Sequence, residues 1–160
     1  IESKKMILAT KENGGQLIFA GNGASASIAN HASLDFTKQG KVRSVNFNES
    51  AFITAFANDY GYEKWIEKAL SCYALAGDTL ILVSCSGTSP NVVNAAKYAN
   101  ENGINVITFT GFSANNPLKT AGDINFWLDC RAYNIIEGIH QLWLLSICDL
   151  IIGKREYSAS

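Results

Sequence analysis

Thr79–Asn91 reads TLILVSCSGTSPN. Its first residues are almost continuously aliphatic, the pattern of a strand covered on both faces, as in a parallel sheet. The run ends in Ser84, Cys85, Ser86, Gly87, Thr88 and Ser89, and Pro90 follows directly. A serine ahead of a proline is an N-cap with proline at the first helical position, so a helix starts there. Strand, polar turn and helix in immediate succession make half of a βαβ unit, and that unit predicts the α/β class.

The same unit recurs on either side. Short β-rich runs fall at Gln16–Ala20, Val42–Phe47, Asn105–Thr110 and Ile124–Leu128 in addition to Thr79–Cys85. Stretches with apolar residues at helical spacing separate them: Ser25–Lys38, Glu49–Ala57 with Glu63–Ala76, Pro90–Asn102, a short one near Pro117, and Asn134–Ile152. The expected fold is a doubly wound, five-stranded parallel sheet flanked by helices on both faces, in one domain over residues 1–160. No internal repeat, linker or low-complexity tract interrupts it. In such sheets ligands collect beyond the carboxyl ends of the strands, where loops enter helix N-termini.

Composition narrows the ligand. Of 160 residues, 48% are hydrophobic, enough to fill a core, and a net charge of -1 without charge blocks gives no field for nucleic acid. The apolar run Leu142–Ile152, broken by Ser146 and Asp149, is expected to be too short to span a bilayer, and no export signal is evident. Cys72, Cys85, Cys130 and Cys148 lack CxxC spacing and sit in apolar segments, which reads as buried, reduced thiols of a cytoplasmic protein. Because the chain begins at Ile1, an N-terminal segment is expected to be missing from it.

Two turns carry the chemistry. Gly21–Ser27, GNGASAS, follows the first strand, and SCSGTSPN follows the third. Hydroxyls and the NH groups of a first helical turn hold a phosphomonoester without lysine. Ordinary helix capping explains either turn taken alone. GNGASAS lacks the third glycine of a dinucleotide fingerprint and the GK of a P-loop, which disfavours a nucleotide-binding domain. Among titratable groups, His31 and Asp35 lie four apart on one predicted helix, and Glu137 and His140 three apart on the last. They read either as groups that converge between two helices, or as an intrahelical pair on a solvated face and a satisfied, partly buried histidine.

The two turns, together with the ANDYGY stretch Ala57–Tyr62, resemble the SIS (sugar isomerase) family. They match its GNGGS-like and STSGxS turns and, in ANDYGY, the GNDYGY segment of the sedoheptulose 7-phosphate (phosphoheptose) isomerases. The resemblance spans Gly21–Ile152 and implies a flavodoxin-like or Rossmann-like SIS fold, a phosphorylated sugar as ligand, and a homotetramer with sites at subunit boundaries. It implies also an N-terminal helical segment that this chain lacks in part. Position by position, Asn22, Gly23, Ala24 and Ser25 line the sugar end, Asn58 and Asp59 meet sugar hydroxyls, and Ser84, Cys85, Ser86 and Ser89 hold the phosphate, with Cys85 replacing the usual threonine. His31 and Asp35 match the family's His and catalytic Glu, and Glu137 a Gln or Glu position. His140 matches a common family His, so Asp35, His31, Glu137 and His140 form the expected catalytic set. Leu145 stands where the isomerases carry a second catalytic His that is also a zinc ligand, so a zinc set of His31, Asp35 and Glu137 is incomplete. The implied activity is aldose–ketose isomerisation of sedoheptulose 7-phosphate toward activated heptose for surface polysaccharide, and the alternative is a non-catalytic phosphosugar sensor or scaffold.

Overall fold

The computed structural model describes residues 1–154. The five strands are β1 (Leu17–Gly21), β2 (Ser44–Asn46), β3 (Thr79–Ser84), β4 (Asn105–Thr110) and β5 (Ile124–Trp127), all parallel, in the order β2-β1-β3-β4-β5. Seven helices connect and flank them: α1 (Glu2–Glu12), α2 (Ala24–Lys38), α3 (Ser50–Tyr60), α4 (Trp65–Tyr73), α5 (Pro90–Glu101), α6 (Pro117–Ala121) and α7 (Tyr133–Ile152). The expected elements are present, with β2 shortened to three residues and α3 carried on to Tyr60. The helix α1, which periodicity did not pick out, buries Ile7 against the sheet.

Strand alternation splits the core in two. Ile18, Ala20, Leu80, Leu82 and Val106 face α4 and α5, where Trp65, Ile66, Leu70 and Val92 complete one layer. Leu17, Phe19, Ile81, Val83 and Phe109 face the other way, onto Phe36 of α2 and Leu144 and Ile147 of α7. Both faces of β1 and β3 are therefore dry, which is why their sequences are continuously apolar rather than alternating.

The order of connections places the site. From β1 the chain passes to α2 on one face, and from its neighbour β3 to α5 on the other. Connections leaving in opposite directions open a crevice at the carboxyl ends of β1 and β3, where the two serine-bearing turns lie.

Two expectations need correction. Of the cysteines, Cys85 and Cys148 are buried, but Cys130 is only half-buried and Cys72 is exposed; all four are free thiols. The run Leu142–Ile152 belongs to a longer helix. Among the described residues α7 is long and apolar enough to cross a membrane by length and composition, yet it packs Ile136, His140, Leu144, Ile147 and Cys148 inward, as a core helix does.

Candidate functional site

A cavity of about 140 Å³ occupies the crevice, lined by Asn22, Ser25, Ser84, Cys85, Ser86, Ser89, Tyr133 and Glu137. Gly21 lets the first turn pass: a Cβ there would sit 2.8 Å from the Ser25 carbonyl oxygen and 2.9 Å from that of Val83. Gly23 then caps α2 at φ 56°, a left-handed conformation that side chains resist. In the second turn Gly87 has φ 64°, and an added Cβ would overlap the Asn116 carboxamide.

The hydrogen bonds within these turns leave donors facing the cavity. The Gly87 NH donates to the Ser84 hydroxyl oxygen at 3.2 Å. Ser86 Oγ accepts from the Thr88 NH at 3.3 Å and from the Thr88 hydroxyl at 3.0 Å. A hydroxyl has two lone pairs and one proton, so Ser86 keeps only its proton to offer. Ser89 caps α5 through its main chain, with the Val92 and Val93 NH groups donating to its carbonyl oxygen, and its side chain makes no capping bond. Capping alone therefore does not account for these serines.

Cys85, in the same turn, meets Glu137 of α7 at the cavity. The Cys85 thiol donates to Glu137 Oε1 at 3.9 Å. Burial pushes its pKa up against the hydrogen bond from Ser25, and the Glu137 carboxylate raises it further. Cys85 thus stays a neutral thiol, a weak donor where a threonine would supply a strong one.

The helices α2 and α7 do pack together, but they do not bring the four titratable groups together. Ser25, at the start of α2, lines the cavity together with Cys85 and Glu137, whereas the Asp35 carboxylate acts on Cys148, eleven residues beyond Glu137. The helices therefore run side by side in one direction, and Asp35 lies on the order of 16 Å from Glu137, at 1.5 Å per residue. His31 Nε2 and Asp35 Oδ2 pair at 3.2 Å, with the His31 side chain 53% exposed and that of Asp35 17%. His140 is a core histidine, as the blander expectation has it, but not a satisfied one: its Nδ1 finds no hydrogen-bond partner among the described residues. It is fully buried between Phe109 and Trp143. Its Nε2 lies 3.2 Å from the Thr110 carbonyl oxygen, which can only accept, so Nε2 carries the proton. Burial lowers its pKa to about 4. Asn58 and Asp59 close α3 in its last turn, exposed and bonded to each other at 3.0 Å, away from the cavity lining.

The sequence and fold of this chain have known counterparts. The SIS domain family matches residues 2–111. Phosphoheptose isomerase of Aliarcobacter butzleri is 31% identical over 98% of this chain and 85% of its own length, and that of Bordetella avium is 29% identical over 95% and 83%. The chain belongs to the SIS domain family. Among solved SIS structures, phosphoheptose isomerase GmhA from Neisseria gonorrhoeae superposes with TM-score 0.87 at 29% identity, covering 95% of this chain and 84% of that one. The Francisella tularensis phosphoheptose isomerase gives 0.87 at 26%, covering 96% and 84%.

Within this SIS domain the expected zinc set does not form. Among the described residues no three His, Cys, Asp or Glu side chains gather as a metal group: Asp35 sits over two turns along α2 from the Glu137 end, and Leu145 contributes no ligand. Sequence reasoning also missed three residues. Tyr133 lines the cavity from the first turn of α7. Asn91, 1% exposed, exchanges two hydrogen bonds with Asn22, and Tyr62 reaches Asn22 from the loop after α3. Asn91 stood beside the quoted serine turn, but nothing local marked its partner, which is 69 residues away.

Proposed function

We propose that this SIS domain is an aldose–ketose isomerase acting on sedoheptulose 7-phosphate, cytoplasmic, and assembled as a homotetramer with sites at subunit boundaries. The observation that carries the reading is the cavity at the carboxyl ends of β1 and β3, with serine donors at the N-terminus of α5 and the Glu137 carboxylate of α7 in its lining. Ser84, Ser86 and Ser89 suit the phosphate, which accepts only, and the α5 dipole adds to their attraction. Asn22, Tyr133 and Glu137 suit the polyhydroxy chain. The names of the relatives support the same substrate class.

Moving a carbonyl between C-1 and C-2 needs a base for a carbon-bound proton and a donor for the enediolate oxygen. Asp35 is the base in this reading and His31, paired to it, orients it. In this reading Asp35, about 15 Å along α2 from Ser25, serves the cavity of a neighbouring subunit, and His31 goes with it. Exposed leucines on the two helices support such an assembly: Leu34 on α2 is 56% exposed, and Leu142 and Leu150 on α7 are 56% and 47% exposed. Asn58 and Asp59, exposed at the end of α3, reach across in the same way in this reading. No step is routed through a metal; among the described residues of one chain no three ligating side chains gather. The four free thiols suit a reducing compartment.

The test is incubation with sedoheptulose 7-phosphate in deuterated buffer, followed by NMR, with sedimentation of the same sample. Deuterium incorporation and aldose formation by a tetramer are expected. Saturable binding without exchange would refute the isomerase, and a monomer that turns over would refute the shared site.

A further inference from the structure

Asn22 and Asn91 form a closed carboxamide pair. Asn22 Nδ2 donates to Asn91 Oδ1 at 2.9 Å, and Asn91 Nδ2 donates to Asn22 Oδ1 at 2.8 Å. A carboxamide pair of this kind reads equally well with both groups flipped, so something outside it must fix the direction. Here the main chain does. The Val92 NH, in the first turn of α5, donates to Asn91 Oδ1 at 3.1 Å. That oxygen must therefore be the acceptor, the other end of Asn91 must donate, and Asn22 must turn its oxygen toward Asn91 Nδ2. The Tyr62 hydroxyl, at 3.2 Å, donates to the same Asn22 oxygen and completes its two lone pairs.

The consequence falls on the cavity. With Oδ1 filled and one N–H given to Asn91, Asn22 retains a single uncommitted N–H, and Asn22 lines the cavity. We infer that Asn91 and Tyr62 are positioning residues that fix the Asn22 carboxamide as a hydrogen-bond donor to an oxygen of the bound sugar. The inference rests on the phosphosugar reading above. An amide free to rotate would present N–H or oxygen with similar ease, and the wrong orientation would set oxygen against oxygen. Asn91 is buried, does not line the cavity, and reaches a lining side chain by hydrogen bond only at Asn22, so its effect on the ligand is indirect.

The experiment is a double-mutant cycle on the full chain, reading the affinity for sedoheptulose 7-phosphate and for inorganic phosphate by calorimetry. Asn91→Leu, close in shape and neutral, is expected to weaken sugar phosphate binding by about tenfold, roughly the worth of one hydrogen bond, and to leave inorganic phosphate within about twofold, an allowance for small shifts in the serine turn. Tyr62→Phe, at an exposed position that leaves folding intact, is expected to weaken the sugar phosphate by a smaller factor, about threefold. In an Asn22→Ala background neither change should have further effect, because the group they orient is gone. A purely structural role would instead lower both affinities and persist in that background. If the wild type binds the sugar phosphate and the single effects add in full to Asn22→Ala, the positioning role is overturned while the phosphosugar reading stands. If the wild type binds inorganic phosphate but not the sugar phosphate, the phosphosugar reading fails and takes this inference with it.

Discussion

Acidification should loosen this fold through His140. The side chain is completely buried, donates from Nε2 to the Thr110 carbonyl, stacks on Trp143 and meets Phe109 edge-on; its pKa falls from 6.5 to about 4. The folded state therefore holds His140 neutral where the unfolded chain would protonate it. Between those two values the unfolded chain binds more protons, so stability is full above pH 6.5 and falls as the pH drops toward 4. Linkage puts the loss at about 2 kcal/mol at pH 5, rising to about 3 kcal/mol below pH 4. For a domain of this size 2 kcal/mol lowers the melting midpoint by about 4–8 °C. The assay is urea unfolding of wild type and His140→Phe at pH 7.5 and at pH 5. The variant keeps a ring between Phe109 and Trp143 but cannot titrate. It is expected to be less stable at pH 7.5, through loss of the Thr110 bond, and to lose about 2 kcal/mol less than wild type on acidification. Equal losses in the two proteins would refute the assignment, since every carboxylate is common to both.

Gly87→Ala should destabilise the chain by about 2–4 kcal/mol, because the left-handed φ and the overlap with Asn116 both have to be relieved by moving the phosphate turn; urea unfolding and phosphate titration would both register it. Ser86→Ala removes a hydroxyl whose remaining proton faces the cavity, and is expected to weaken phosphate binding by about tenfold with little change in stability, as calorimetry and melting together would establish. Asp35→Asn should abolish deuterium exchange into sedoheptulose 7-phosphate while leaving its binding nearly intact; retained exchange would remove Asp35 as the base. Mixing Asp35→Asn with Ser86→Ala subunits should restore exchange at hybrid sites with wild-type affinity for the sugar phosphate, whereas a site confined to one chain would leave only exchange at the weaker affinity of Ser86→Ala.

Thr79–Asn91 and Gly21–Ser27 were enough to read strand, turn and helix, and hence the parallel sheet and the end of it where the cavity lies. Those features are local: an apolar run buried on two faces, a proline after a capping serine, and glycine where the backbone turns back on itself. The serines of the cradle were legible for the same reason, since each lies within a few residues of the strand end that positions it. What the chain does with its titratable side chains was not legible. His31, Asp35, Glu137 and His140 share two helices that do touch, but the direction in which α2 and α7 run side by side sets Asp35 beside Cys148 and leaves Glu137 with Cys85. Helical spacing likewise left His140 undecided, and only the position of Thr110 on β4 turned it inward. The Asn22–Asn91 pair joins two strand ends across 69 residues. Residue types and local spacing determined which groups were available. Side-chain direction and contact across the sheet are long-range properties, and they were decided when the layers packed.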